Sequence, residues 1–154
     1  MSQKIAITAV VYEDFRVMAS GSHSHGSMTP PGQNPTILLV DDNTVVRDML
    51  VDLVASLGYR ADAAAGGAEA LALFDRGRYR LVLTDLLMPG MNGWDVLAAV
   101  RQRDAGMPVI IITGSPVGGD PRALQPGVAV VKKPVDVTIL DATIKQMLLA
   151  RLAV

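Results

Sequence analysis

Four apolar runs limit this chain to a narrow set of folds. They are ILLV (37–40), LVLT (81–84), PVIII (108–112) and VAVV (128–131). Strands with so little polar alternation leave no face for water, so they need cover on both sides, which is typical of parallel sheets. Between the runs, apolar residues recur every three or four positions, as in amphipathic helices. This alternation predicts a doubly wound α/β fold, with a parallel sheet between two helical layers.

The helical patterns have recognisable ends. We expect helices over 44–57, 68–76, 94–103 and 135–152, and a weaker strand, YRADAA, at 59–64. Thr44 is placed to cap the first helix, while Gly58 and Gly77 are placed to end the first and second. The apolar positions expected to face the core are Val45, Val46, Met49, Leu50, Leu53, Val54, Leu57, Leu71, Phe74, Val96, Leu97, Val100, Ile139, Ile144, Leu148 and Leu149.

Composition excludes several functional classes. The 154 residues suit one domain, and 50% of them are hydrophobic, which is enough for a sizeable core. The net charge of −1 gives no electrostatic reason to expect direct nucleic-acid or membrane binding. The absence of cysteine excludes disulfides and thiolate chemistry, and His23 and His25 are too few for an ordinary zinc site. No apolar run approaches the ~18 residues of a membrane helix. We therefore expect a cytoplasmic protein.

The first part of the chain differs from the rest. GSHSHGSM (21–28) has the composition of a cloning tag or linker, and the proline-rich segment that follows cannot be helical. We expect residues 1–33 to be a leader and residues 34–154 to form the functional domain. If the earliest segment is native, an added edge strand or a partner contact is the role that its weak alternation favours.

Chemically active residues follow the predicted strands. In a doubly wound sheet the carboxyl ends of the strands share one edge, where functional groups collect. Each residue alone has an ordinary explanation, as a loop cap or a solvated charge. Together, three carboxylates repel one another unless a cation lies between them, and an all-oxygen ligand set favours Mg²⁺. A carboxylate beside Mg²⁺, a hydroxyl and a lysine suits phosphoryl transfer. The strand-end residues are Asp41, Asp42, Asp85, Thr113, Lys132 and Lys133.

Four motifs at these strand ends carry a resemblance to a known family. LLVDDN, TDLLMPGMNG, ITGS and VKKP resemble the receiver domain of two-component response regulators, over about residues 36–152. The resemblance implies a CheY-like, flavodoxin-like fold with a five-stranded sheet in the order 2-1-3-4-5 and about five helices. It also implies a cis peptide bond before Pro134.

The resemblance assigns a role to each matching residue. Asp85 is implied to be the phosphate acceptor, Thr113 the switch hydroxyl, and Lys133 rather than Lys132 the ion-pairing lysine. The implied Mg²⁺ ligands are Asp41, Asp42, Asp85 and the backbone carbonyl of Leu87, with Asp41 acting mainly through water. Such a receiver takes its phosphoryl group from a sensor histidine kinase or a histidine phosphotransfer protein. It catalyses its own phosphorylation and dephosphorylation without turning over a separate substrate, and we expect a monomer or weak dimer with an unidentified downstream protein target.

Three departures from the family pattern bear on signal output. Val130 stands where the family usually has Tyr or Phe, so coupling of a ring to Thr113 is not expected. Residues 114–127 contain three prolines and four glycines in place of a fourth helix, so at most Pro121–Gln125 is expected to be helical, with Asp120 as its cap. Leu87 replaces a residue that is often polar, and we expect it to shield the acyl phosphate and slow its hydrolysis.

Other functions remain to be weighed against a phosphorylation-dependent switch. A degenerate receiver would bind partners without phosphoryl chemistry, but the intact set of acidic, hydroxyl and lysine residues disfavours it. A phosphatase of the haloacid dehalogenase type needs an Asp two residues after its nucleophile, where this chain has Asn43 after Asp41. A flavodoxin-like FMN site is weaker still, because the acidic pair would repel the phosphate.

Overall fold

The computed structural model of the protein describes residues 36–152, so the expected leader lies outside the described residues. Strands and helices alternate throughout that range. The elements are β1 (Thr36–Val40), α1 (Thr44–Ser56), β2 (Arg60–Ala64), α2 (Gly67–Arg76), β3 (Leu81–Asp85), α3 (Gly93–Arg103), β4 (Val109–Thr113), a 3₁₀ turn (Pro121–Leu124), β5 (Val128–Lys132) and α4 (Val137–Leu152). The predicted bounds differ by at most two residues at each end of these elements.

All five strands are parallel and form one sheet in the order β2-β1-β3-β4-β5. The predicted fold class and strand order are therefore confirmed. The register aligns Thr84 with Val40 and Thr113 with Lys132, so the carboxyl ends of β1, β3, β4 and β5 lie side by side. This edge of the sheet is where the predicted functional residues were expected to meet.

Two separate apolar layers cover the sheet, because alternate strand residues point to opposite faces. Leu38, Val82 and Ile111 face α2, α3 and the 3₁₀ turn. Leu39, Leu83 and Ile110 face α1 and α4. The central strands β3 and β4 are buried at every position, which explains their unbroken apolar character in the sequence.

Helix α1 begins with a different cap from the predicted one. The Asn43 side chain accepts a hydrogen bond from Val46 N at 3.1 Å, so Asn43 and not Thr44 is the N-cap. Gly58 follows the helix with φ +94°, a left-handed conformation that favours glycine, and thus ends it as predicted. Val45 and Met49 are 77% and 55% exposed, contrary to the prediction. They lie one residue, about 100°, around the helix from the buried row.

Helix α4 also buries fewer of the predicted residues. It begins at Val137 rather than Val135, and Ile144 is fully buried as expected. Ile139 and Leu149 are 41% and 56% exposed, so their predicted inward orientation is wrong. One helix has only one face against the sheet, and an apolar set that extends around most of its circumference cannot be buried completely.

The β4–β5 loop, residues 114–127, has no α-helix. It contains only the 3₁₀ turn, whose N-cap is Asp120 and whose first residue is Pro121. The described range therefore has four α-helices instead of about five, and the expected short or irregular fourth helix is the 3₁₀ turn. Ala123 of this turn is buried against the sheet, beside Val117 and Val130.

Candidate functional site

Three carboxylates meet at the carboxyl edge of the sheet. One oxygen from each of Asp41, Asp42 and Asp85 lies within 4.8 Å of the others. Asp41 is 1% exposed and Asp85 is 9% exposed, whereas Asp42 is open to solvent. The site therefore has a buried floor and an accessible side, which suits a small ion or a phosphoryl group approaching from solution.

Asp41 is held by its neighbours but is not fully compensated. Its Oδ1 accepts a hydrogen bond from Asn43 N at 2.9 Å, and Arg47 Nη1 donates to its backbone carbonyl at 2.9 Å. Its Oδ2 is buried without a hydrogen-bond partner among the described residues. Burial raises the pKa of Asp41, opposed by the Asn43 amide and reinforced by the negative charge of Asp85. Asp41 is therefore a desolvated carboxylate whose charge calls for a cation.

Asp85 is fixed at the end of β3 by its backbone surroundings. Its Oδ1 accepts a hydrogen bond from Leu86 N at 2.8 Å, and Thr84 Oγ1 donates to its carbonyl at 2.9 Å. The start of α3 lies directly against it, since Gly93 N donates to Leu86 O at 2.8 Å. A Cβ at Gly93 would lie 2.6 Å from the Asp85 carbonyl oxygen, so glycine is required there.

Lys133 brings positive charge to this carboxylate pair. Its Nζ lies 3.2 Å from Asp85 Oδ1 and 4.0 Å from Asp41 Oδ2. Lys132, the competing candidate, is exposed on β5 and forms no ion pair within the described range. The Lys133–Pro134 peptide bond is cis, as the resemblance implies.

Thr113 ends β4 one residue beyond Ile112, which is paired with Asp85. It is buried, and its Oγ1 accepts a hydrogen bond from Ser115 N at 3.0 Å. Because this bond uses a lone pair of the oxygen, the hydroxyl hydrogen stays available for donation to an anion. Thr113 thereby connects the site to the first turn of the β4–β5 loop.

Several residues around the site were not found by the sequence reasoning. Arg47 and Thr84 support the backbone of Asp41 and Asp85, and Gly93 allows α3 to approach. Arg47 lies six residues after Asp41 and one turn into α1, a spacing that offered a signal for it. Leu87, which departs from the usual family pattern, follows the acceptor strand, and its side chain is 64% exposed.

The residues fit a bound Mg²⁺. The donors are all oxygens, three carboxylates converge within 4.8 Å, and the Asp41 Oδ2 atom is buried without a partner. Mg²⁺ favours a few carboxylates together with water and phosphate oxygens. Bound there, the ion would supply positive charge that relieves the repulsion among the carboxylates and polarises phosphoryl oxygens.

The fold and the acidic edge together define a class of protein. The model of the response regulator receiver domain matches residues 37–145. This match covers more than half of the chain, so the chain belongs to the response regulator receiver domain family.

Relatives of this chain include a sensor histidine kinase and a sensory transduction protein. The sensor histidine kinase RcsC of Escherichia coli K12 is 33% identical over 110 residues, which cover 70% of this chain and 12% of that protein. The sensory transduction protein RegX3 of Mycobacterium tuberculosis H37Rv is 40% identical over 78 residues, 51% of this chain and 34% of that protein. This chain thus spans a small part of these longer relatives.

The chain also resembles a solved structure. The response regulator TrrA of Thermotoga maritima, in complex with Mg²⁺-BeF, shares 30% sequence identity and superimposes with a TM-score of 0.68. The match covers 73% of this chain and 98% of that one.

In residues 36–152 of the present chain, no helix is long and apolar enough to cross a membrane.

Proposed function

We propose that this receiver accepts a phosphoryl group on Asp85 and acts as a phosphorylation-dependent switch. The observation that carries the proposal is the position of Lys133 Nζ, 3.2 Å from Asp85 Oδ1, at the edge where three carboxylates converge. An ammonium group there pairs with the acceptor and with the oxygens of an incoming phosphoryl group. The names of the RcsC and RegX3 relatives support a place in histidine-to-aspartate signalling.

The proposed reaction moves a phosphoryl group from a histidine to Asp85. A carboxylate oxygen of Asp85 attacks phosphorus, a new O–P bond forms, and the P–N bond to the donor imidazole breaks with its electron pair left on nitrogen. Lys133 orients the carboxylate and pairs with the phosphoryl oxygens, and the Thr113 hydroxyl donates to one of them. Asp41, Asp42, Asp85 and the Leu87 carbonyl would hold Mg²⁺.

The donor in this proposal is a sensor histidine kinase or a histidine phosphotransfer protein, which places the reaction in the cytoplasm. Phosphorylation adds about −1.5 to −2 charges beside buried groups, enough to change the balance between two arrangements of a neighbouring loop. The chain itself speeds its phosphorylation and dephosphorylation, since the groups that stabilise the transferring phosphoryl belong to it.

Labelling with acetyl phosphate tests the proposal. The wild type should acquire a hydroxylamine-labile phosphate in Mg²⁺ and not in EDTA, and Asp85→Asn should acquire none. Asp52→Asn, the same change at an exposed position of α1, is the matched control and should label like the wild type. Equal labelling of Asp85→Asn and the wild type would refute the assignment. A wild type that takes up no phosphate would favour a phosphorylation-independent interaction module.

A further inference from the structure

The β4–β5 loop is held by a contact with the site at its start and by a contact with α3 further along. At its start, Ser115 N donates to Thr113 Oγ1 at 3.0 Å. Near its end, the guanidinium of Arg122 lies over the ring of Trp94, 4.8 Å from the ring centroid. Arg122 is in the 3₁₀ turn, whereas Trp94 is the second residue of α3, so this contact joins two elements separated in sequence.

Trp94 is itself coupled to the acceptor through the chain. Gly93, immediately before it, donates its N–H to Leu86 O and comes so close to the Asp85 carbonyl that a Cβ would lie only 2.6 Å from that oxygen. A close-packed backbone contact transmits displacement instead of absorbing it. Any shift of the Asp85–Leu86 backbone therefore moves the start of α3, and with it the indole ring.

Asp120 prepares Arg122 for the contact with the ring. Its Oδ2 accepts from Arg122 Nη2 at 2.8 Å, and its Oδ1 accepts from Nε at 3.1 Å and from the backbone N–H at 2.9 Å. This forked pairing fixes the plane of the guanidinium. A planar guanidinium can stack on an aromatic face while its edge stays paired with a carboxylate, and lysine does not reproduce this combination.

The packing beneath the turn explains why the loop rests on the sheet. Val130 is partly buried on the same face as Trp94, and Val117 and the buried Ala123 pack into the same apolar cluster. A valine side chain fills less volume than a phenyl or phenol ring. The loop residues occupy this face instead, so the loop packs against the sheet through small apolar side chains.

We propose that Arg122 and Trp94 form a latch that holds the β4–β5 loop in the arrangement of the unmodified protein, and that phosphorylation of Asp85 opens it. The inference rests on the proposed function. When the Thr113 side chain turns to donate its hydroxyl hydrogen to a phosphoryl oxygen, Oγ1 moves away from Ser115 N, and that hydrogen bond is lost at one end of the loop. Movement of the Asp85–Leu86 backbone displaces Trp94 from Arg122 at the other. The two anchors release together, and the loop becomes the output element.

Because coupling between two equilibria is reciprocal, removing the latch must change the affinity for a phosphoryl mimic in a definite direction. If the latch favours the unmodified arrangement, its loss must favour binding of a phosphoryl mimic by the same factor. For an exposed cation–π contact we expect Arg122→Gln to bind beryllofluoride in Mg²⁺ about two- to fivefold more tightly than the wild type. Arg122→Lys should give a smaller tightening, because an ammonium group still attracts the ring but loses the forked pairing with Asp120.

The test is a beryllofluoride titration of each variant, followed by ¹⁹F NMR. The control variant is Arg78→Gln. Arg78 is an exposed arginine in the loop before β3, at the edge of the sheet opposite the site. Trp94 is the single tryptophan of the chain, so its fluorescence reports the latch directly. We expect the emission of ligand-free Arg122→Gln to resemble that of the saturated wild type. Amides 117–126 should also exchange faster in this variant than in Arg78→Gln.

Defined outcomes overturn the inference. Equal affinities and equal emission for Arg122→Gln and Arg78→Gln would show that no latch exists. A tightening by Arg122→Lys that exceeds that of Arg122→Gln would refute the role of the ring contact, because lysine keeps a cation near the ring. These outcomes differ from a failure of the proposed function. In that case the wild type itself would bind no beryllofluoride, and the latch proposal would be refuted together with the proposed function.

Discussion

Replacing Asp41 by Asn is expected to stabilise the metal-free protein while weakening its response to Mg²⁺. Asp41 is 1% exposed, and its Oδ2 has no hydrogen-bond partner in the described structure. Asn keeps an oxygen for the bond from Asn43 N and replaces the unpaired oxygen by an NH₂ group that can donate to the neighbouring carboxylates. The change therefore removes an uncompensated charge and supplies a donor where none exists.

The expected gain in stability is the balance of charge repulsion and desolvation, which Asp41→Asn relieves, against the lost attraction to Lys133. Like charges within 4.8 Å repel by about 3.5 kcal/mol at an effective dielectric constant of 20. The attraction to Lys133 Nζ at 4.0 Å is similar in size but is reduced by solvent, since that side chain is 33% exposed. The desolvation of the unpaired oxygen, about 1–3 kcal/mol, remains. We expect a net gain of about 1–2 kcal/mol and a rise in Tm of roughly 3–8 °C.

The assay is thermal unfolding in EDTA and in increasing Mg²⁺, with Asp42→Asn as the control. The wild type should gain about 1.4 kcal/mol at a Mg²⁺ concentration of tenfold Kd, and neither variant should gain as much. Asp42 is exposed, so its substitution should change stability in EDTA by less than about 0.5 kcal/mol. A lower Tm for Asp41→Asn than for the wild type in EDTA would refute the reasoning.

The same substitution has a definite pH dependence. Folding raises the pKa of Asp41, chiefly through burial. A raised pKa contributes stability at pH values below the unfolded-state pKa, and this contribution is lost as the pH rises through the folded-state pKa. The advantage of Asp41→Asn should therefore be fully developed near neutral pH and shrink as the solution is acidified, which unfolding curves across the acidic range will show.

Three further substitutions give separable results. Lys133→Gln removes the cation 3.2 Å from Asp85, so Mg²⁺ affinity measured by titration should rise by roughly threefold or more while labelling by acetyl phosphate slows; weaker Mg²⁺ binding would contradict this. Leu87→Asn removes the exposed apolar side chain that we expect to shield the acyl phosphate and should shorten the phosphate half-life by about threefold, whereas an unchanged half-life would contradict the shielding role. Arg151→Gln breaks the 2.8 Å bond to Asp104, a pair about one-third exposed, and should cost about 0.5 kcal/mol in urea unfolding at pH 7. Because the pKa of Asp104 is lowered mainly by Arg151, that cost should fade as the pH drops below about 4, and a constant cost would contradict it.

The sheet could be predicted because the order of apolar residues along the chain is enough to identify its strands. A strand buried on both faces, such as β4, must be apolar throughout, and a parallel sheet places all its carboxyl ends at one edge. These two facts were enough to expect Asp41, Asp85 and Lys133 at the same place, and the structure brings them together. Their roles in phosphoryl transfer remain the proposal tested above.

The helix cap, the exposed face of α1 and the contact between the loop and α3 depend on three-dimensional packing, which the order of residues does not specify. Asn43 and Thr44 are both good cap residues, and the backbone geometry at the end of β1 selects Asn43. Val45 and Met49 have the right spacing for a helix but lie on its solvent side, because packing uses only one narrow face. The contact between Arg122 and Trp94 joins distant positions with no shared motif, so no sequence pattern predicts it.

The parallel arrangement of the strands places the three clustered carboxylates at one edge of the sheet, far from the opposite edge. Each strand has five residues, so about 16 Å of sheet separates Asp85 from the opposite edge, where exposed Arg78 precedes β3. The chain contains no cysteine, so Arg78→Cys would provide a unique thiol for attachment to a surface. Immobilised in this way, the receiver would present its acidic edge and β4–β5 loop to solution. Binding of the downstream target to the phosphorylated and to the unphosphorylated receiver could then be compared.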